Sequence, residues 1–178
     1  IFATSAGTVR RNRLSDFANV MRNGKIAMKL EDDHADTRLI NARICSEDDD
    51  IMLTTTSGRA IRFRSTDVRV LNSRASVGVR GILLKGDDEV VAMSVIRHFE
   101  ATPDERAAYL KMRRLMAGVT DDTEIEEDEE GNADAEFTQE RYAEMSAAEN
   151  LLLTITVDGA GKLSSSHDYP LRGRGGQG

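Results

Sequence analysis

The sequence predicts an all-β fold, an array of propeller-like blades of four antiparallel strands each, interrupted by a helical acidic insertion. Three observations predict it. First, one short pattern is written three times, as Ile1–Arg10 (IFATSAGTVR), Met52–Ile61 (MLTTTSGRAI) and Leu152–Gly161 (LLTITVDGAG). Each copy passes from apolar and β-branched residues through a small-residue–Gly turn (Ala6-Gly7, Ser57-Gly58, Asp158-Gly159) into a second run. That is how a β-hairpin is spelled. Second, a spacing of about 50 residues between copies belongs to stacked repeats and not to a singly wound domain. Third, the repeat is broken only once, over residues 99–149, where the composition turns acidic and helical.

The elements follow in order. Copy one opens with the hairpin Ile1–Asn12, continues through a loop holding Leu14, Phe17 and Val20, and then gives the strands Gly24–Leu30 and Arg38–Cys45 on either side of the polar turn Glu31–Thr37. Copy two repeats this with the hairpin Ile51–Arg64, the loop Ser65–Ser76, and the strands Val79–Leu84 and Glu89–Ile96. Four strands per copy, punctuated by turn residues, give a blade at 1–46, a blade at 47–98, the insertion at 99–149 and a partial blade at 150–178. Within the insertion, Thr102-Pro103-Asp104-Glu105 is a strong helix start, with proline in the first turn and acid at the positive dipole end. Leu110, Met112, Leu115 and Met116 continue that helix to Gly118. Residues 121–134 are mostly acidic and are expected to be disordered. Phe137–Glu149 reads as a second helix. The insertion is expected either to compete with a polyanion for basic surface or to act only as a solubilising arm.

The net charge of −7 is the sum of two opposed populations. Residues 98–150 hold 16 acidic and 5 basic side chains, a net −11, whereas the remainder holds 15 and 19, a net +4. The basic residues recur at matching places. Arg10, Arg11 and Arg13 follow the first turn, and Arg59, Arg62 and Arg64 follow the second. Lys25 and Lys29 lie on a later strand of copy one, and Arg74 and Arg80 near the matching stretch of copy two. Lys162, Arg172 and Arg174 extend the set into copy three. Such charges, aligned along a rim, would track a duplex by neutralising phosphates without reading bases. Set against this is the ordinary fate of surface arginine as a solvated strand end; the recurrence favours the duplex.

Other functions find little footing. Aromatics make up 4% with no Trp, which leaves no stacking platform for single strands. The lone Cys45 offers neither a disulfide nor zinc spacing and is expected to be an inert thiol in a strand. The consecutive acids of Ser46–Asp50 lack the alternation and glycine of a calcium loop, so a solvated turn is expected there and no metal site. His34, His98 and His167 are scattered without ligand spacing. Ser164–Asp168 holds triad residue types, but adjacency in sequence is not triad geometry, and no catalytic residue is assigned. No apolar run approaches the length of a membrane span, and a cytoplasmic protein is expected. Because Ile1 opens directly in a strand, the chain is expected to be a segment of something longer.

The hairpins with Arg-rich second strands, the stretch Gly24-Lys-Ile-Ala-Met-Lys-Leu30 and the stretch Gly78-Val-Arg-Gly-Ile82 together resemble the C-terminal domain of the A subunit of bacterial DNA gyrase. The resemblance covers nearly everything outside 99–149. It implies a β-pinwheel whose basic rim wraps double-stranded DNA in support of ATP-dependent negative supercoiling. It also implies two partners, the gyrase B subunit plus a second A subunit, reached through parts of the protein outside this segment. ATP and magnesium would belong to the holoenzyme and no cofactor to this segment, located in the cytoplasm with the nucleoid. The family carries a box, Gln-Lys/Arg-Arg-Gly-Gly-Arg/Lys-Gly, in its first blade, upstream of this chain. Residues Arg172, Gly173, Arg174, Gly175, Gly176, Gln177 and Gly178 are similar to it, matching at Arg174, Gly175, Gly176 and Gly178 and departing at the other three places. A DNA-contacting loop and a merely flexible connector both fit those residues. The related C-terminal domain of a topoisomerase IV subunit remains one alternative. A protein-interaction propeller is the other, disfavoured by the low aromatic content.

Overall fold

The structure is a computed structural model and describes residues 1–30, 36–74, 76–118 and 137–178. The chain divides into two compact units, one formed by 1–98 with 171–178 and the other by 99–170. The expected disordered tract at 121–134 and the turn residues 31–35 lie outside the described residues.

In the first unit, strands β1 (Phe2–Thr4) and β2 (Thr8–Arg10) form the first hairpin, with β3 (Leu39–Ala42) beside β1. Strands β4 (Asp49–Thr55), β5 (Ala60–Arg64) and β7 (Val90–Arg97) make the second sheet in the order β5-β4-β7. Their hairpin turns are built alike. Gly7 and Gly58 both stand at φ +81°, and their amides donate to Thr4 O and Thr55 O at 3.1 Å. Glycine is required because the residue closing such a turn must be left-handed. A 3-10 turn follows each hairpin, at Leu14–Phe17 and Ser65–Asp67. The core is the apolar seam between the two sheets, where Ile1, Ala3 and Val9 meet Ile51, Leu53, Ile61 and Phe63, all buried.

Two expectations need correction. The strand Val79–Leu84 was expected inside its own blade. Instead β6 (Val79–Arg80) pairs with β2, so the first sheet has the order β3-β1-β2-β6 and borrows its fourth strand from copy two. Glycine makes this close approach possible: a Cβ on Gly78 would stand 2.6 Å from Val9 O, and one on Gly81 2.8 Å from Leu53 Cδ1 and Val9 Cγ1. The second correction follows from the first. Gly24–Leu30, the counterpart of β6 in copy one, forms no strand. A backbone ladder needs a neighbour, and among the described residues no strand pairs with it.

The second unit contains α1 (Pro103–Met116), α2 (Gln139–Ala148) and the hairpin β8 (Leu151–Ile155)–β9 (Gly161–Ser165). The helix start at Thr102 is a full capping box, closed reciprocally by Glu105. Glu105 also accepts from Arg141 Nε of α2 at 2.8 Å, and the Tyr109 and Tyr142 rings meet at 5.0 Å. Here the third turn repeats the first two, with Gly159 at φ +82° and its amide on Thr156 O at 3.0 Å. The 3-10 turn Ser166–Asp168 follows as it does in the other copies. Its His167 is buried; Nε2 donates to Met145 O at 3.0 Å and the ring meets Tyr109 edge-on.

Candidate nucleic-acid interface

The first unit carries 18 basic and 13 acidic residues, a net +5, and the second 6 and 18, a net −12. The sequence candidates on the first unit divide sharply by where their side chains go.

Arg13, Lys25, Lys29, Arg80, Arg172 and Arg174 are exposed, and Arg11, Arg59, Arg64 and Arg74 are half-buried. Arg10 and Arg62 turn inward. Arg10 is fully buried; its Nη1 donates to Ser76 O and its Nε to Asn12 Oδ1 at 2.7 Å, so it ties β2 to the loop before β6. Burial pushes its guanidinium pKa down, though an arginine stays charged regardless. Arg62 donates through Nη2 and Nε to Asp50 Oδ2 at 2.7 and 2.9 Å, with Asp50 wholly buried. Neither arginine is presented to a phosphate in this conformation. Asp50 had been expected in a solvated turn, but it closes a buried ion pair on the second blade. Its register was the missing signal: Asp50 lies opposite Arg64, and Met52 opposite Arg62, so the carboxylate reaches Arg62 diagonally.

Three of the exposed set, Arg80, Arg172 and Arg174, lie at one corner. The tail 171–178 runs along the outer side of β5, with Arg172 N donating to Arg62 O at 2.8 Å and Leu171 bridging Arg62 in parallel. Copy two treats copy one in the same way: Leu71 N donates to Arg11 O at 2.8 Å, and Val70 bridges Arg11. Gly175 N reaches Gly81 O, and Gly176 O accepts from Leu83 N, both at 2.7 Å. Arg174 then staples the corner, donating through Nε to Asp67 O at 3.0 Å and through Nη1 to Arg80 O at 2.8 Å. Gly175 and Gly178 stand at φ +85° and +84°, and a Cβ on Gly178 would come within 3.1 Å of Ala60 O. The box-like residues are thus an ordered clasp that brings the exposed Arg172 and Arg174 to Arg80 and the β5 edge beside Arg59. Lys25 and Lys29 lie on the unpaired stretch of copy one, where Lys25 Nζ donates to Asn19 O at 3.3 Å. Lys162 is exposed on the second unit.

Among the described residues, no three histidine, cysteine, aspartate or glutamate side chains converge to hold a metal, and no helix is long and apolar enough to cross a membrane. Cys45 is a free, half-buried thiol.

Antiparallel blades that trade strands, with a cationic corner, define a propeller-type repeat domain. The family model described as "DNA gyrase C-terminal domain, beta-propeller" matches residues 1–38, 49–97 and 150–178. The chain belongs to that family. The DNA gyrase A subunit of Granulibacter bethesdensis is 49% identical along the whole chain, and that of Rickettsia bellii 41%. The chain spans 20% and 19% of their lengths. A solved DNA gyrase A C-terminal domain superposes with a TM-score of 0.61 at 21% identity, over 99% of this chain and 41% of that one. The C-terminal domain of DNA topoisomerase IV superposes at 0.64 with 16% identity, over 99% and 39%. The unmatched stretches of the family model include 98–149, where the two helices stand.

Proposed function

We propose that the blade unit binds duplex DNA along its phosphate backbone, without reading bases, as a wrapping element of a gyrase A-type subunit. The observation that carries this is the corner where the tail is held to β5 by Arg172 N on Arg62 O while the Arg174 guanidinium donates to Arg80 O. Phosphates need fixed cationic donors at a surface, and these donors are held on strands and on an ordered clasp, not on free loops. The charge separation supports it: a unit of net +5 attracts a polyanion even though the chain as a whole is acidic. In the whole protein the same reading assigns a second A subunit, a B subunit, ATP and magnesium to ATP-driven supercoiling in the cytoplasm, with this chain bending DNA and cutting none.

Salt dependence tests it. Neutralising about 6–10 phosphates predicts a loss of roughly 10³–10⁵ in affinity between 50 and 200 mM salt. Equal affinity for unrelated duplexes and a steep salt slope are expected. Salt-insensitive binding, or none by the folded protein, would overturn the proposal.

A further inference from the structure

Beside the corner stands an exposed cation that repetition does not announce. Arg69 follows the 3-10 turn Ser65–Asp67, in the strap by which copy two grips the hairpin of copy one. Both its neighbours are fixed. Val68 is fully buried in the core, and Val70 bridges Arg11, with Leu71 N donating to Arg11 O at 2.8 Å. Extended backbone alternates its side chains, and Arg69, set between those two valines, is exposed. Two residues before it, Asp67 O accepts from Arg174 Nε at 3.0 Å, and the same guanidinium reaches Arg80 O at 2.8 Å. The strap of copy two, strand β6 and the tail of copy three therefore meet around Arg174.

We infer that Arg69 is a phosphate-binding residue, the member that the strap of copy two adds to Arg80, Arg172 and Arg174 in one composite site for a duplex backbone. The inference rests on the DNA-binding reading above. Among the described residues nothing pairs with the Arg69 guanidinium, so a phosphate that meets it displaces no existing partner. Arg38, also exposed, is different: Glu89 holds it at 2.7 Å. The one acid of the strap, Asp67, is exposed, and against four arginines it leaves the corner cationic. A guanidinium suits a phosphate because its fork donates to two oxygens at once. Aligned on the turn glycines, position 69 has Ala18 as its counterpart in copy one and Pro170 in copy three. Recurrence of charge between copies therefore could not reveal it; only the strap's path does.

The test is the salt slope of duplex binding by the intact protein, with R69A, R69K, R80A and R38A beside wild type. R69A should lower the slope by about 0.9, so that raising salt from 50 to 200 mM costs it roughly threefold less affinity than wild type. R69K keeps the charge and should restore most of the slope. R38A, whose guanidinium already serves Glu89, should leave the slope unchanged. The unfolding midpoint of R69A should match wild type, since the side chain holds nothing in the fold; a lowered midpoint would overturn the inference. An unchanged slope in R69A while R80A lowers it would also overturn the inference and leave the DNA-binding reading standing. Equal losses in R69A and R38A would overturn it too, because the slope would then report net charge and not a site. Unchanged slopes in both R69A and R80A, or no duplex binding by the folded protein, would overturn the inference and the reading together.

Discussion

Copies one and two share a hairpin, a turn glycine and an arginine spacing, yet they spend their arginines differently. Arg11 and Arg13 of copy one are half-buried and exposed, whereas their counterparts Arg62 and Arg64 are locked to Asp50 and His98. The hairpins are built alike; the residue equivalent to His98 is Glu47, and the position equivalent to Asp50 lies outside this sequence, so the contrast rests on Arg13 and Arg64. Recurrence in sequence therefore marks equivalent backbone positions and not equivalent roles. An arginine count overstates the cationic surface wherever a buried acid claims one of its members.

The sharpest way to break this comparison is to remove both counterparts in turn. Arg62→Ala leaves the buried Asp50 without its ion-pair partner and should cost about 3–5 kcal/mol in denaturant unfolding. Arg11→Ala should cost well under half of that; equal losses would show that the two copies do not differ as described. Next come the turn glycines. Gly58→Ala meets open space and only the left-handed backbone penalty, about 1 kcal/mol. Gly7→Ala at the same φ also drives a Cβ to 2.9 Å from Ile82 O, two residues beyond the strand traded from copy two, and should cost about 2–4 kcal/mol. Similar values for the two would argue against the strand exchange.

A smaller effect contrasts the blades with the helical unit. The Glu105 carboxyl is held below the usual range by its hydrogen bond from Arg141, and next by the Thr102 amide. Because the folded pKa is the lower one, the stabilisation is complete above the unfolded value near 4.3 and is lost as pH falls from there through the folded value. Glu105→Gln should therefore destabilise this unit at neutral pH by about 1 kcal/mol and by progressively less in acid. Thermal unfolding at pH 7 and pH 3 checks it; a penalty that grows in acid would contradict the assignment. In the blade unit, burial pushes the Asp88 carboxyl up, but hydrogen bonds from Ser57 and Thr56 outweigh that and hold it well below the usual range.

Much of this was legible because it is local. The three Gly-closed turns and the capping box at Thr102 are decided by residues within four positions of one another. The helix ends and the hairpin pairs followed from the same short-range chemistry. What the sequence hid is long-range. The register that sends Val79–Arg80 to copy one depends on Gly78 and Gly81 meeting Val9 across some 70 residues, and nothing near those glycines announces the partner. Asp50 looked like one acid among several, since its burial depends on Arg62 and His98 arriving from two other strands. For the candidate interface, the exposed arginines were legible as charges, but the clasp that gathers Arg172, Arg174 and Arg80 was not. Its glycine-rich residues suit a loose connector equally well until backbone partners are known.

On the proposed function, exposed arginines of the blade unit hold DNA phosphates while the inward ones hold the fold. The most direct test is the salt slope of duplex binding for the intact protein beside Arg13→Ala, Arg80→Ala and Arg172→Ala variants, singly and combined. Removing one phosphate-binding arginine should lower the slope by about 0.9, equally for unrelated duplex sequences and with the unfolding midpoint unchanged. An unchanged slope in the folded triple variant, or a loss confined to one duplex sequence, would contradict it.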